Sequence, residues 1–254
     1  MGPADVRDHT LAPPARGRQS DNMRAMRTSL IALFALASAI GPVVLQAKDD
    51  APGRLDNAAD LLTDMMKASD KGVPQDLLNR SRCVILVPGL KKAAFFVGAK
   101  YGRGFAMCRR ASGTGWSAPA AIRIEGGSFG VQFGGSEQDV LLLVTNDSGM
   151  KHLLSNKFTI GGEATAAAGP VGRDVSAQTD AVLRAEMLSY SRSRGLFAGI
   201  SLQGATLRPD EEANRELYGS DTTNQEILTG KVKTPAAADK VESLLNRNSS
   251  RETH

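Results

Sequence analysis

The chain has 254 residues, enough for one domain with a sizeable apolar core, and its 26 glycines and 5% aromatic residues fit close-packed strands and tight turns better than a helical bundle. Its formal net charge is +4, but residues 1–47 carry five of the 31 Lys/Arg and three of the 27 Asp/Glu, so the remainder stands at only +2. Without a long basic run interleaved with aromatics, that balance argues against nucleic acid, and two cysteines argue against a disulfide-dense scaffold.

Residues 1–25 are polar, carry Pro13-Pro14 and are read as an upstream segment without structure, with Met23 or Met26 as alternative starts. From Met26-Arg27 a charged start leads into the apolar run Leu30–Leu45, broken by Gly41-Pro42 and followed by the small residue Ala47. That layout is a secretory signal peptide over residues 26–47, cleaved near Ala47, and it implies a periplasmic or secreted protein. The run is too short and too broken for a spanning helix.

The first helix is expected over Arg54–Ser69, where Leu55, Ala58, Ala59, Leu62, Met65 and Met66 share one face and Asp56, Asp60 and Asp64 the other. The acidic stripe favours packing on the domain's own sheet over lying on anionic lipid. Residues 74–79 add a helical turn. Strands follow at 83–87, 93–99 and 105–109, with Pro88-Gly89 and residues 101–104 read as turns. Lys91 and Lys92 fall at one turn and Lys100 and Arg103 at the next; successive meander turns alternate ends, which favours solvated turn residues over a single patch.

In an oxidising compartment Cys83 and Cys108 are bridged more often than free. A plain three-strand meander, however, puts them on non-adjacent strands, so a bridge requires a bulge, a bend or another strand order. Trp116 reads as a core or edge anchor. The stretch Ile122–Val144 is the centre of the sheet. Phe129, Val131 and Phe133 alternate with Gly130, Gln132 and Gly134, giving one bulky and one bare face, and Val140–Val144 is apolar on both faces, as in a strand covered from both sides.

Asn146 or Asp147 caps a short helix that turns Met150, Leu153 and Leu154 inward, with His152 half-exposed. Phe158–Ile160 precedes an alanine-rich run compatible with either helix or strand. A hairpin is expected from 185–191 and 196–202 across Arg192-Ser193-Arg194-Gly195. Pro209 opens a helix with Asp210, Glu211 and Glu212 in its first turn and Gly219 past its end, and Thr234-Pro235 starts a last helix with Val241, Leu244 and Leu245 on one side. The fold class is therefore α+β: a glycine-rich, mostly antiparallel sheet, curled toward a barrel, with helices at its ends and on one face.

Chemical motifs are weak. Gly126-Gly127-Ser128-Phe129-Gly130 matches the G-x-S-x-G of serine hydrolases, but a strand follows where a helix is needed, and His152 and His254 are the only histidines downstream of the leader. No spacing suits zinc, calcium, a dinucleotide or a phosphate loop, so neither metal nor cofactor is expected.

Four segments together resemble the SYLF domain: Val84–Arg103, Gly127–Gly135, Gly169-Pro-Val-Gly-Arg173 and Ser189–Gly199. The resemblance covers residues 54–219 and leaves 220–254 as a C-terminal helical extension. It is similar to the single-domain type of secreted bacterial proteins; eukaryotic members join the domain to SH3 or FYVE modules and are associated with phosphoinositide-containing membranes and with actin. The resemblance implies a non-enzymatic, lipid-binding domain whose partner is an anionic lipid or membrane surface, with an envelope protein as the alternative. Arg173, Arg192 and Arg194 match arginines of the family motifs and, with Lys91 and Lys92, are the expected headgroup contacts. A periplasmic destination sets actin aside as a partner.

Overall fold

The computed structural model describes residues 50–68, 72–94, 97–129, 134–172, 184–193 and 196–249. All of them lie in the compact unit 48–254. The strands are β1 Cys83–Ala94, β2 Val97–Cys108, β3 Ala120–Phe129, β4 Gly134–Val144, β5 Phe158–Thr159, β6 Ala166–Ala168, β7 Met187–Ser193, β8 Leu196–Gly199 and β9 Ala205–Pro209. They form one curled sheet in the order β5-β9-β3-β2-β1-β4-β7-β6, with β8 also on β7. Only the β6–β7 pair is parallel among the described strands. The α+β architecture is thus the expected one, and the alanine-rich run resolves as the strand β6.

The first strands depart from the expected meander. Pro88-Gly89 does not end a strand; it is a bulge inside β1, which carries one extra residue against β2 between Leu86 and Lys91 and against β4 between Val87 and Leu90. Gly89 supplies the positive φ of 64°, and its N–H, turned out of the ladder, donates to Asp139 Oδ1 at 2.9 Å. Proline has no N–H to lose and is tolerated at a bulge. Residues 101–104 are accordingly not a turn but the middle of β2, where glycines admit the bulged strand. A β-carbon at Gly104 would lie 2.1 Å from the Leu86 carbonyl oxygen, and one at Gly102 would lie 2.8 Å from the side chains of Leu90 and Val87. With two long strands instead of three short ones, Cys83 stands directly opposite Cys108, and the two form a disulfide.

Strand β4 returns to the far side of β1, so that β1–β4 lie in the order 3-2-1-4 of a Greek key. The sheet is covered on both faces. Val84, Leu86, Phe105, Met107, Leu141, Leu143 and Tyr190 face the helices α1, Ala51–Lys67, and α6, Asp239–Asn248. Ile85, Val87, Leu90, Ile122, Val140, Leu142 and Val144 face the helices α3, Asp147–Leu154, and α5, Asn224–Leu228. The apolar run Val140–Val144 therefore feeds both cores alternately, as its sequence implied.

Helix α1 starts at Ala51, earlier than the apolar spacing alone suggests, because the Asp50 side chain accepts from the Gly53 N–H at 2.8 Å and Pro52 occupies the first turn. The short helix α2, Gln75–Arg80, follows. Asn146 caps α3, and Asp210 caps α4, Glu211–Tyr218, which ends at Gly219 with a φ of 67°. A 3₁₀ turn, Ala236–Ala238, leads into α6. Helix α5 and strand β9 were not anticipated, although Thr223 and Glu226 make a capping box legible at three-residue spacing. Arg109 joins these parts: its guanidinium lies 4.3 Å from the buried Trp116 ring and donates to carbonyls of Ser81, Leu78, Asn79 and Ser249.

Candidate anion-binding site

The bulge decides which lysine faces inward. Side chains alternate along a strand, so without an extra residue Lys91 would continue the inward set of Cys83, Ile85 and Val87. With it, Leu90 and Lys92 take that side, while Lys91 turns to the α1 face beside Glu137 and Tyr101. Lys92 then stands directly opposite Lys100 of β2, whose other neighbour is Gly126 of β3; on the far side Lys92 pairs with Ser136 of β4. One residue row closer to the core, Gln138 of β4 pairs with Leu90 on the same face.

These groups lie at the end of the sheet away from the disulfide. Helix α3 packs its Gly149 against Val144, and Leu228 of α5 lines a cleft with Arg82 and Arg109, so both helices cover the Cys83–Cys108 end. Lys100 is 8% exposed and donates to the Gln203 carbonyl at 3.1 Å. That reach crosses the bare Gly126, over which the chain before β9 folds; a β-carbon there would sit 2.8 Å from the Gly204 oxygen. Lys92 is half-buried, and the Gln138 Nε2 is shielded from solvent with no hydrogen-bond partner among the described residues. Burial holds both amines below the ordinary lysine value, and for Lys100 the Lys92 charge adds to the effect.

The neighbouring carboxylates project from the opposite face. Glu125 pairs across strands with Tyr101, Glu137 with Lys91, and Asp139 meets Arg192 on the α1 side. Two ammonium groups and an amide N–H₂ thus share one face of the sheet, without a carboxylate on that face at the adjoining described strand positions. Donors of that kind stabilise an anion.

Of the residues nominated from the sequence, Lys91, Lys92 and Arg192 are described, and they do not share one face. Lys91 is exposed on the α1 face. Arg192 is held by two carboxylates: its Nε and Nη2 donate to Asp139 Oδ2 at 2.8 and 2.6 Å, and its Nη1 pairs with Asp64 of α1. This arginine ties α1 to β4 and β7. Arg173 and Arg194 lie outside the described residues. Lys100 was expected as a solvated turn residue because the strand read at 93–99 stopped short of it, whereas it is buried within β2; nothing local reveals that Gln138 shares its face.

Ser128 stands within β3 opposite Gly98, a strand position and not the strand-to-helix elbow that a hydrolase nucleophile occupies. His152 on α3 meets the Phe158 ring at 5.9 Å and Glu186 at 3.8 Å. No cluster of metal-ligating side chains occurs among the described residues. A cleft of about 400 Å³ beside α3, α4 and α5 is lined by Leu154, Asn214, Thr223 and Arg215, whose charge is matched by Asp221 at 2.7 Å.

Residues 125–248 match the family model Ysc84, described as Las17-binding protein actin regulator. The chain is 36% identical over 177 residues to an SH3 domain-containing protein of Schizosaccharomyces pombe, covering 68% of this chain and 41% of the relative. It is 35% identical over 190 residues to LAS seventeen-binding protein 3 of Saccharomyces cerevisiae, covering 72% and 41%. It is 34% identical over 178 residues to SH3 domain-containing YSC84-like protein 1 of Rattus norvegicus, covering 70% and 52%. The chain therefore spans 41% to 52% of the length of these relatives. Their names correct one expectation. Setting actin aside rested on an inferred destination and on no property of the surface, and it does not stand against a family described by actin regulation and a relative named for Las17 binding.

Proposed function

Since the chain belongs to the Ysc84 (SYLF) family, we propose that it is a non-enzymatic binding module whose sheet end around Lys91, Lys92 and Lys100 meets an anionic lipid surface. Residues 54–219 carry that surface, and the helical extension 220–254 closes the core behind it. The observation that carries the reading is the pair Lys92 and Lys100, side by side on adjoining strands with no carboxylate on their face at the described neighbouring strand positions. Tyr101, 46% exposed next to Lys91, adds an amphipathic ring suited to headgroup depth. Export with cleavage near Ala47 would present this end to lipid of the cell envelope.

The test is co-sedimentation of the purified protein with phosphatidylcholine vesicles, with and without phosphatidylglycerol, at low and high salt. Binding is expected only to the anionic vesicles and is expected to fall with salt, because exposed charges are screened within about 10 Å at 0.1 M. Equal binding to neutral vesicles, or none to either, would sink the reading.

A second reading is a protein-interaction module that meets actin-assembly proteins, favoured by the names of the relatives. Co-pelleting with actin filaments in the absence of lipid separates it from the first.

A further inference from the structure

Lys92 and Lys100 are not arranged as a solvated surface charge would be. Like charges directly opposite one another on neighbouring strands repel. Here both are also withdrawn from water, and a third donor, the Gln138 amide, is buried on the same face without a partner among the described residues. Lys100 has one neutral acceptor, the Gln203 carbonyl, and no carboxylate among the described strand neighbours compensates either ammonium, so an anion beside the pair would supply the charge the fold leaves unmatched.

We propose that Lys92, Lys100 and Gln138 form a discrete site for one phosphate-class dianion, a phosphate monoester or free phosphate. The charge count favours that class. Two ammonium groups match a phosphate monoester, which carries about −1.5 to −2 at pH 7, whereas a carboxylate or a phosphodiester leaves one of them uncompensated. Insofar as the phosphate comes from a lipid, the inference rests on the docking reading. A monoester lipid such as phosphatidic acid is then preferred over phosphatidylglycerol at equal surface charge.

The experiment titrates inorganic phosphate into the full chain with isotope-labelled lysine, followed by NMR at the side-chain amines, alongside vesicles containing phosphatidic acid or phosphatidylglycerol. Saturable shifts are expected at Lys92 and Lys100. Lys92→Met and Lys100→Met should each weaken phosphate binding by about tenfold or more, while Lys151→Met on α3 leaves it unchanged. Saturation together with displacement from phosphatidic acid vesicles supports the site with a headgroup as its source. Saturation without binding to any vesicle also supports the site, makes free phosphate the source, and removes the docking reading. Vesicle binding with no phosphate response at the two lysines, or an equal loss in Lys151→Met, overturns the site and leaves docking intact. No response in either arm removes both.

Discussion

At Gly104 a β-carbon would lie 2.1 Å from the Leu86 carbonyl oxygen and 2.8 Å from the Val87 Cα, both backbone atoms that cannot swing aside. Gly104→Ala is therefore expected to cost about 3 kcal/mol or more in urea unfolding. Gly127, one strand away, has nothing closer than 3.9 Å, and Gly127→Ala should stay within about 0.5 kcal/mol or stabilise slightly. Equal costs at the two positions would show that close approach is not what selects glycine in β2. The lysine pair gives a prediction of the opposite sign. Both amines lose their protons at lower pH in the folded protein than an ordinary lysine, which titrates at 10.5. Between those lowered values and about pH 10.5 the unfolded chain holds more protons, so folding stability rises with pH across that window. Urea titrations from about pH 8 to about pH 10.5 should show this rise, and it should vanish in the Lys92→Met, Lys100→Met double variant. Near neutral pH that variant should be more stable by about 1 kcal/mol, as is common where residues serve binding at the expense of stability. A destabilised double variant would mean that the lysines are held by contacts that matter to folding.

At the scale of the element, the bulge at Pro88-Gly89 does three things at once. It keeps β1 and β2 as two long strands, it turns Lys92 in place of Lys91 toward the α3 face, and it leaves Cys83 and Cys108 in register. The two cysteines close a loop with a sequence separation of 25 residues. Reduction is expected to lower the unfolding free energy by about 3 kcal/mol, measured by urea titration with and without reductant. An unchanged midpoint would show that the β1–β2 ladder alone holds these ends together. Pro88-Gly89 is as good a turn signal as a bulge signal when taken locally, which is why the sequence read as three strands. Only the long ladders with β2 and β4 on either side select the bulge. The N-cap at Asn146 needed no such context, since it is complete within four residues.

Across the whole molecule, the last helix closes the α1-side core. Val241 and Leu245 pack among Leu55, Leu62 and Trp116, and Ser249 accepts from both Arg109 and the Trp116 indole. Deleting residues 234–254 should remove roughly 5 kcal/mol of burial, comparable with the total stability of a typical domain. Thermal unfolding followed by near-ultraviolet circular dichroism should then lose its cooperative transition. A sharp transition within a few degrees of the intact protein would show that the sheet and α1 fold without it. The Greek key has the same global character: β3 and β4 are consecutive in the chain yet lie on opposite sides of the β1–β2 pair, and together they place Gly126, Lys100, Lys92 and Ser136 in one row.

By itself, the sequence determined the class of the fold, the amphipathic face of α1, the two-sided burial of Val140–Val144 and the α3, α4 and α6 helices. All of these follow from periodicity and capping within a dozen residues. Lys92 was nominated as a turn residue, and the structure places it within the strand β1 instead. Tertiary structure alone decided that Lys100 and Gln138 join it, that Lys91 and Arg192 face the other way, and that Cys83 meets Cys108. The physical reason is the two-residue period of a strand. A single inserted residue reverses every side chain beyond it, and whether the chain inserts one at Pro88-Gly89 depends on partners that lie tens of residues away.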